Sequence, residues 1–164
     1  MVAKSGPSTK SNGAKATGPR VLKQVRKKTI SFGSDFAGIG TVGIALKKLF
    51  SDPTLNLVLD HLFSCDKARF AKQIIEYNHP PKHWDNDVLT RDLTWLMPKT
   101  LGLYSFTAPC QGLSSAGLQL GAADPRTRLA LNGVAVVIEK LPKAFMMENV
   151  VPLVTHTKKM IKQI

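Results

Sequence analysis

Cysteine is scarce in this sequence: 164 residues contain only Cys65 and Cys110. Two cysteines cannot build a disulfide framework, so we expect free thiols and a reducing compartment. Long apolar runs are missing as well, since runs such as residues 134–138 are far too short to cross a bilayer. The N-terminus is polar and has no apolar segment of the signal-peptide type. These absences argue against a secreted, disulfide-stapled protein and against a membrane span.

Acidic residues are absent from residues 1–28, which hold eight of the 23 Lys and Arg in a chain of net charge +12. This segment is rich in Lys, Ser, Gly, Pro and Ala and shows no apolar periodicity, so we predict a disordered basic tail. Such a tail is suited to contact DNA phosphates. A solubilising leader is the plainer alternative, and the cluster at residues 23–28 also resembles a nuclear localisation signal.

Strand and helix patterns alternate beyond the tail. The predicted elements are strands at 29–35, 60–66, 101–107 and 143–147, and helices at 41–50, 67–77, 126–141 and from 154 onwards. The helix that begins at residue 67 should stop at His79-Pro80-Pro81. This order predicts an α/β fold in which a mostly parallel sheet carries helices on both faces. The length suits one domain, over residues 29–164.

A glycine-rich turn connects the first predicted strand to the first helix. Residues 38–43 fit the pattern G-x-G-x-x-G, which permits a tight turn and lets a ligand approach the free N–H groups at the helix start. Asp66 ends the next predicted strand, where a carboxylate can bind ribose hydroxyls, and Asp60 is a rival at the start of that strand. NAD, FAD and S-adenosylmethionine all use such turns, and a turn without any ligand is the structural alternative.

Two further segments carry candidate chemistry. Cys110 lies in a loop of small and polar residues, 107–117, after a strand, where α/β folds place their active sites and a thiolate can act as a nucleophile. A small buried cysteine is the alternative. Glu148 and Asn149 end the predicted strand before them, so Glu148 is a candidate proton donor facing a cleft. Its alternative is a charged residue that emerges into water.

Together these motifs resemble the C5-cytosine DNA methyltransferase family, over about residues 29–164. The matching segments, in the order and rough spacing of that family, are Phe36-x-Gly38-x-Gly40, Asp87-Val88, Pro109-Cys110-Gln111-x-x-Ser114, Asp124-x-Arg126-x-x-Leu129 and Glu148-Asn149-Val150. The resemblance implies a Rossmann-like, S-adenosylmethionine-dependent methyltransferase fold that is incomplete at its C-terminal side.

The resemblance also implies a mechanism and a set of site residues. Cys110 would attack C6 of a cytosine flipped out of DNA, while Glu148 supports protonation at N3. Loss of the C5 proton after methyl transfer would then expel Cys110. The family pattern assigns catalysis to Cys110, Gln111, Ser114, Glu148 and Asn149. It assigns the binding of S-adenosylmethionine to Phe36, Gly38, Ile39, Gly40, Asp66, Asp87, Val88 and Pro109. No residue is assigned to a metal.

Several positions depart from the family pattern. The family places Asp two residues before the motif Phe, whereas this chain has Ser34 there and Asp35 beside it, a shift that could weaken cofactor binding. Ala108 and Lys67 also differ from the usual residues. The family's Gln-x-Arg-x-Arg segment and target-recognition region do not occur in the sequence, so we expect a sheet that lacks strands and exposes an apolar edge. Either the chain is a fragment, or a second polypeptide carries the other half.

Three alternatives stay open at this point. A tRNA cytosine-C5 methyltransferase shares the chemical motifs, and a catalytically silent module that binds cofactor or DNA shares the fold. An NAD-dependent oxidoreductase would explain only the glycine turn. The expected location is the nucleus in a eukaryote and the cytoplasm or nucleoid otherwise.

Overall fold

A computed structural model describes residues 26–114, 120 and 124–151 of the chain. Most of the predicted tail and the helix predicted from residue 154 lie outside these residues. The strands are β1 (Lys28–Asp35), β2 (Leu57–Cys65), β3 (His83–Asp85), β4 (Leu103–Phe106) and β5 (Ala144–Met147). The helices are α1 (Thr41–Phe50), α2 (Arg69–Asn78), α3 (Pro125–Arg128) and α4 (Ala130–Lys140), with a 3₁₀ turn at Pro53–Leu55.

The described strands form one sheet in the order β3-β2-β1-β4-β5, and every neighbouring pair is parallel. The chain starts in the middle at β1, moves outward through β2 to β3, and then crosses back to β4 and β5. The strand order therefore reverses between β1 and β4, and a crevice opens there at the carboxyl ends of the strands. Right-handed crossovers place α1 and α2 on one face of the sheet and α4 on the other. The predicted parallel α/β fold is confirmed.

The main hydrophobic core lies on the α4 face of the sheet. Its buried members are Phe63, Leu93, Leu96, Leu101, Tyr104, Phe106 and Val136. Gly133 allows α4 to approach the sheet closely, because a Cβ at this position would lie 2.2 Å from the ring of Phe106. Leu93 and Leu96 lie between β3 and β4 in a segment for which the sequence predicted no element. Leu101 lies at the start of the strand predicted over 101–107, which in the structure begins only at Leu103.

Several predicted elements differ from the structure, and β4 and α2 each begin two residues after their predicted start. β2 begins at Leu57, three residues before the predicted start, and β3 was not predicted at all. β3 pairs with β2 over only three residues, which is too short to show a period of two in the sequence. The single helix predicted over 126–141 is divided at Leu129, which ends α3 and precedes α4. Asp124 starts α3 by accepting a hydrogen bond from the Arg126 N–H at 2.9 Å, a typical N-cap.

β5 is exposed along its whole length, although the sequence predicted a buried strand. Phe145 and Met146 are 56% and 46% exposed. Among the described strands only β4 borders β5, so the other edge of β5 carries unpaired backbone groups. The expected apolar edge is therefore present. A second apolar row is exposed on α4 and directly after it: Leu131, Val134 and Ile138 belong to the helix, and Leu141 follows its last residue.

None of the helices described here has the length and apolar character that a membrane span requires.

Candidate active site at the carboxyl edge of the sheet

The glycine turn follows β1 at the point where the strand order reverses. Phe36, Gly38 and Gly40 all have positive φ angles, of 52°, 54° and 76°. Only glycine adopts this left-handed region without strain, so the turn requires glycine at two positions and holds Phe36 in a conformation that costs energy. The Ala37 N–H donates to the Cys65 carbonyl oxygen at 3.1 Å, which ties the turn to the end of β2.

A cleft of about 450 Å³ lies beside this turn, and we call it the main cleft. It collects five of the eight residues predicted to bind cofactor, namely Phe36, Asp66, Asp87, Val88 and Pro109. The other three, Gly38, Ile39 and Gly40, line a smaller cleft of about 290 Å³ under α1. Phe36 lines both clefts, so the two spaces meet at the glycine turn.

Asp66 directly follows β2, lines the main cleft, and connects the glycine turn to the start of α2. One carboxylate oxygen accepts the Gly38 N–H at 2.8 Å, and the other accepts the Ala68 N–H before α2, also at 2.8 Å. The rival residue Asp60 lies inside β2 opposite Ser31, away from the carboxyl edge. It forms an ion pair with Lys82 at 2.6 Å. The structure therefore favours Asp66 over Asp60 as the acidic residue of the cleft.

Asp87 begins the turn that follows β3. Its carboxylate accepts the Leu89 N–H at 3.0 Å and lies 3.3 Å from the Lys67 ammonium group. The Leu89 N–H contributes most to a lowered pKa of Asp87, and Lys67 adds to it. Asp87 is therefore a carboxylate at neutral pH. Val88 is buried beside it and forms part of the apolar wall.

Asp35 lines the smaller cleft, but its carboxylate is not free to bind a ligand. Its side chain is fully buried, accepts a hydrogen bond from the Tyr104 hydroxyl, and forms an ion pair with Arg91 at 2.6 Å. Burial raises the pKa of Asp35 to about 6, while Arg91 and Tyr104 oppose this rise. Ser34, at the family's usual Asp position, lines the smaller cleft. The sequence analysis did not assign Arg91 or Tyr104 to this site. The one available signal was Asp35 itself, a charged residue at an apolar strand position that needs a partner.

Cys110 lies on the loop that follows β4 and is half-buried. Its carbonyl oxygen accepts the N–H groups of Leu113 and Ser114 at 2.9 and 2.8 Å, which fold the chain into a tight turn behind the thiol. Both sequence neighbours of Cys110, Pro109 and the exposed Gln111, line the main cleft. The predicted loop continues over residues 115–117, which lie outside the described residues.

Cys65, unlike Cys110, has no access to solvent. It is fully buried at the end of β2, and burial raises the pKa of its thiol to about 12. A thiol of this kind carries almost no thiolate at neutral pH and is inert. Cys110 is therefore the candidate nucleophile of the chain.

Glu148 and Asn149 follow β5 and reach the cysteine loop. The Asn149 side-chain amide donates to the Ala108 carbonyl oxygen at 2.8 Å, and its oxygen accepts the Val150 N–H at 2.9 Å. The Glu148 N–H donates to the Phe106 carbonyl oxygen at 3.4 Å, which continues the pairing of β5 with β4. Glu148 itself is exposed. The predicted pair thus lies next to the loop of Cys110.

The main cleft has further walls that the sequence did not assign to it. Arg126 and Leu129, from the matched segment that forms α3, line it together with Lys67, Leu89 and Thr107. The Arg126 guanidinium also pairs with Asp124 at 2.7 Å. The cleft therefore combines two carboxylates, two cations and an apolar wall. The described residues contain no cluster of His, Cys, Asp or Glu that could hold a metal ion.

Comparisons with known proteins agree with this arrangement. The chain is 31% identical over 123 residues to the type II methyltransferase M.NlaX of Neisseria lactamica, across 75% of this chain and 37% of that protein. It is 33% identical over 123 residues to M.HaeII of Haemophilus aegyptius, across 74% of this chain and 35% of that protein. The chain thus spans little more than a third of these relatives.

Solved structures of similar fold include an Entamoeba histolytica methyltransferase, EhMeth, with a TM-score of 0.54 and 19% identity, across 82% of this chain and 43% of that one. The S. pombe Dnmt2 methyltransferase gives a TM-score of 0.56 and 21% identity, across 82% and 42%. The five-stranded sheet is accordingly an incomplete Rossmann-like methyltransferase fold. The family model for the C-5 cytosine-specific DNA methylase matches residues 30–164, and the chain therefore belongs to that family.

Proposed function

We propose that this chain forms the catalytic half of an enzyme that transfers a methyl group from S-adenosylmethionine to C5 of cytosine in DNA. The supporting observation is that the loop of Cys110 borders a cleft that also contains Asp66 and Asp87. A candidate nucleophile and a candidate cofactor site thus share one edge of the sheet, at the switch point where such folds bind ligands.

The residues of the main cleft fit an adenosyl ligand. Asp66 and Asp87 supply carboxylate acceptors for ribose hydroxyls and for an adenine amino group, respectively. Phe36 and the buried Val88 supply apolar surface for the flat base. The left-handed glycine turn leaves room at its tip, since no described atom lies within 4 Å of a Cβ built on Gly38. When bound, S-adenosylmethionine supplies an electrophilic methyl group.

Cys110 would activate the base. Its thiolate adds to C6 of cytosine: a sulfur–carbon bond forms, the C5–C6 double bond opens, and a proton placed at N3 balances the charge. C5 then becomes the electron-rich carbon that accepts the methyl group. Removal of the C5 proton re-forms the double bond and expels the thiolate. Covalent addition replaces one high barrier by several lower ones.

Glu148 and Asn149 would serve this addition from the end of β5. Glu148 directly precedes Asn149, whose side chain contacts the loop of Cys110. The role of Glu148 would be to hold the proton at N3 of the cytosine. Asn149 fixes the Ala108 carbonyl, two residues before Cys110. Gln111 and Ser114 belong to the same loop and would contact the DNA or the flipped base.

A covalent trap tests the proposal. Together with the polypeptide segment that carries the Gln-x-Arg-x-Arg motif, the chain should form a stable adduct with DNA containing 5-fluorocytosine, because fluorine at C5 cannot leave as a proton. Cys110→Ser should abolish the adduct, and Cys65→Ser should retain it. An adduct that persists in Cys110→Ser would refute the assignment of the nucleophile. A parallel reaction with 5-fluorocytosine in tRNA decides whether RNA is the substrate instead.

A further inference from the structure

Asp35 and Arg91 form a buried ion pair between two loops of the main cleft. The Arg91 guanidinium lies 2.6 Å from an Asp35 carboxylate oxygen, and their side chains are 6% and 0% exposed. The Tyr104 hydroxyl donates to the same oxygen. Asp35 is the last residue of β1, so its position fixes where the glycine turn begins.

Arg91 connects this carboxylate to the turn of Asp87. The Arg91 N–H donates to the Asp87 carbonyl oxygen at 3.0 Å, which closes the turn that carries Val88 into the cleft. The second guanidinium nitrogen of Arg91 donates to the Asn132 carbonyl oxygen in α4 at 3.3 Å. One side chain thus holds the Asp87 turn against both β1 and α4.

The backbone of Asp35 reaches the third loop of the site. Its carbonyl oxygen accepts the Thr107 N–H at 3.4 Å, and the Thr107 hydroxyl donates to the Phe36 carbonyl oxygen at 2.8 Å. Thr107 begins the loop that leads to Cys110. The three loops that line the main cleft therefore meet around a single residue, Asp35, through its carboxylate and its backbone carbonyl.

Stability alone does not account for this pair. A buried ion pair is often no more stabilising than apolar residues of the same size. Here the second carboxylate oxygen of Asp35 and the Arg91 nitrogen of the ion pair both lack a hydrogen-bond partner among the described residues, which adds a desolvation cost. The close approach of the two charges and the hydrogen bond from the Tyr104 hydroxyl together fix the separation of these groups, whereas an apolar contact tolerates sliding.

We propose that Asp35 and Arg91 are positioning residues that hold the glycine turn and the Asp87 turn at the separation that the cofactor requires. This inference rests on the proposed function, because it concerns the same cleft. It also explains how a chain without the family's usual acidic residue two positions before Phe36 keeps a defined cleft. The carboxylate at position 35 acts through Arg91 and does not touch the ligand.

The double variant Asp35→Leu/Arg91→Met tests the inference, because it removes both charges and leaves none of them buried alone. The matched control is Asp60→Asn/Lys82→Met, which removes an ion pair of 2.6 Å from the same sheet, distant from the cleft. Hydrogen exchange should become about tenfold faster at the amides of residues 89–91 and 107 in the double variant only. Its affinity for S-adenosylmethionine, measured by titration calorimetry, should fall about tenfold.

Each outcome decides a separate point. A folded double variant with unchanged exchange, or with faster exchange and unchanged affinity, would overturn the positioning role. If the double variant does not fold, Arg91→Lys provides the same test, since it keeps the charge but loses the second donor to Asn132. Failure of the unaltered chain to bind S-adenosylmethionine would overturn the proposed cofactor site, and with it the claim that the pair sets cofactor affinity. The hydrogen-exchange rates would still show whether the ion pair holds the two turns in place.

Discussion

His79 Nε2 lies 3.0 Å from the Gly40 carbonyl oxygen in the glycine turn. A carbonyl only accepts, so Nε2 carries a proton. His61 Nδ1 lies 2.9 Å from the His79 carbonyl oxygen and therefore donates, and His79 Nδ1, 3.1 Å from the same nitrogen, is placed to accept. His61 Nε2 then accepts from the Ser64 hydroxyl at 2.8 Å. A buried chain of hydrogen bonds thus runs in one direction from β2 to the glycine turn.

The imidazole of His79 packs against Gly40 and Gly43, where a Cβ on either glycine would clash with its ring. A Cβ on Gly43 would lie 2.4 Å from His79 Cε1. We therefore expect Gly43→Ala to lower the free energy of unfolding by about 1–3 kcal/mol through overpacking. This sign is unusual, because alanine in a helix is normally about 1 kcal/mol better than glycine. Urea denaturation provides the measurement.

A second background checks the cause of that loss. In His79→Ala the clash is absent, so adding Gly43→Ala should there be neutral or stabilising. Gly43→Ala that stabilises the unaltered chain would show that His79 does not fill this space.

Asp35 should titrate far above an ordinary aspartate. Its pKa rises from 3.8 to about 6 on folding, chiefly through burial. The folded state therefore holds the proton more tightly, so this stabilisation is complete below pH 3.8 and is lost as the pH rises through about 6. The loss amounts to at most about 3 kcal/mol. Carbon NMR of the Asp35 carboxyl group should show a midpoint near pH 6.

The double variant Asp35→Leu/Arg91→Met is the control for this pH dependence. Its free energy of unfolding should change less between pH 4 and pH 7 than that of the unaltered chain, because the titrating group is gone. An Asp35 midpoint near pH 4 would contradict the burial that the structure assigns to this carboxylate.

The sequence predicted the parts of this fold that depend on local pattern. α1 occupies Thr41–Phe50 as its apolar spacing predicts, and α2 ends just before His79-Pro80-Pro81. The family motifs also placed the acidic cleft and the cysteine loop at one edge of the sheet. Each of these features depends on residues that are close in sequence or on a shared order of strands.

The missed features depend on contacts between distant residues. Asp35 meets Arg91 only after the sheet has brought β1 next to the turn that follows β3, and no periodicity reports such a pair. The core positions of Leu93 and Leu96 lie in a segment without regular structure. β5 reads as a buried strand because its residues are apolar, yet burial requires a neighbour that the described residues do not provide.

The exposed apolar row on α4 should make the chain self-associate. Leu131 and Ile138 are 52% and 68% exposed. Contiguous apolar surface of this kind is rarely left free in a monomer. We expect Leu131→Glu/Ile138→Lys to increase the monomer fraction in sedimentation experiments without lowering the melting temperature. Glu139→Lys, on the same helix, is a control that changes charge but not apolar area, and it should leave the association unchanged.

Asn149 should control the reactivity of Cys110 through the Ala108 carbonyl. Asn149→Asp replaces the donor that lies 2.8 Å from this carbonyl oxygen by an acceptor, so attraction becomes repulsion and the cysteine loop loosens. Alkylation of Cys110 by iodoacetamide should become faster, because the loosened loop exposes the thiol to the reagent. Adduct formation with 5-fluorocytosine DNA should slow by about 10- to 100-fold, because the thiol is no longer held in position to attack the base. Asn132→Asp, which removes an amide–carbonyl bond of 3.4 Å from α4 to Leu129 directly before it, should change neither rate. A Cys65→Ser background leaves Cys110 as the single thiol. Equal slowing of both reactions would mean that Asn149 affects the thiol itself, and unchanged rates would mean that its bond to Ala108 does not hold the loop.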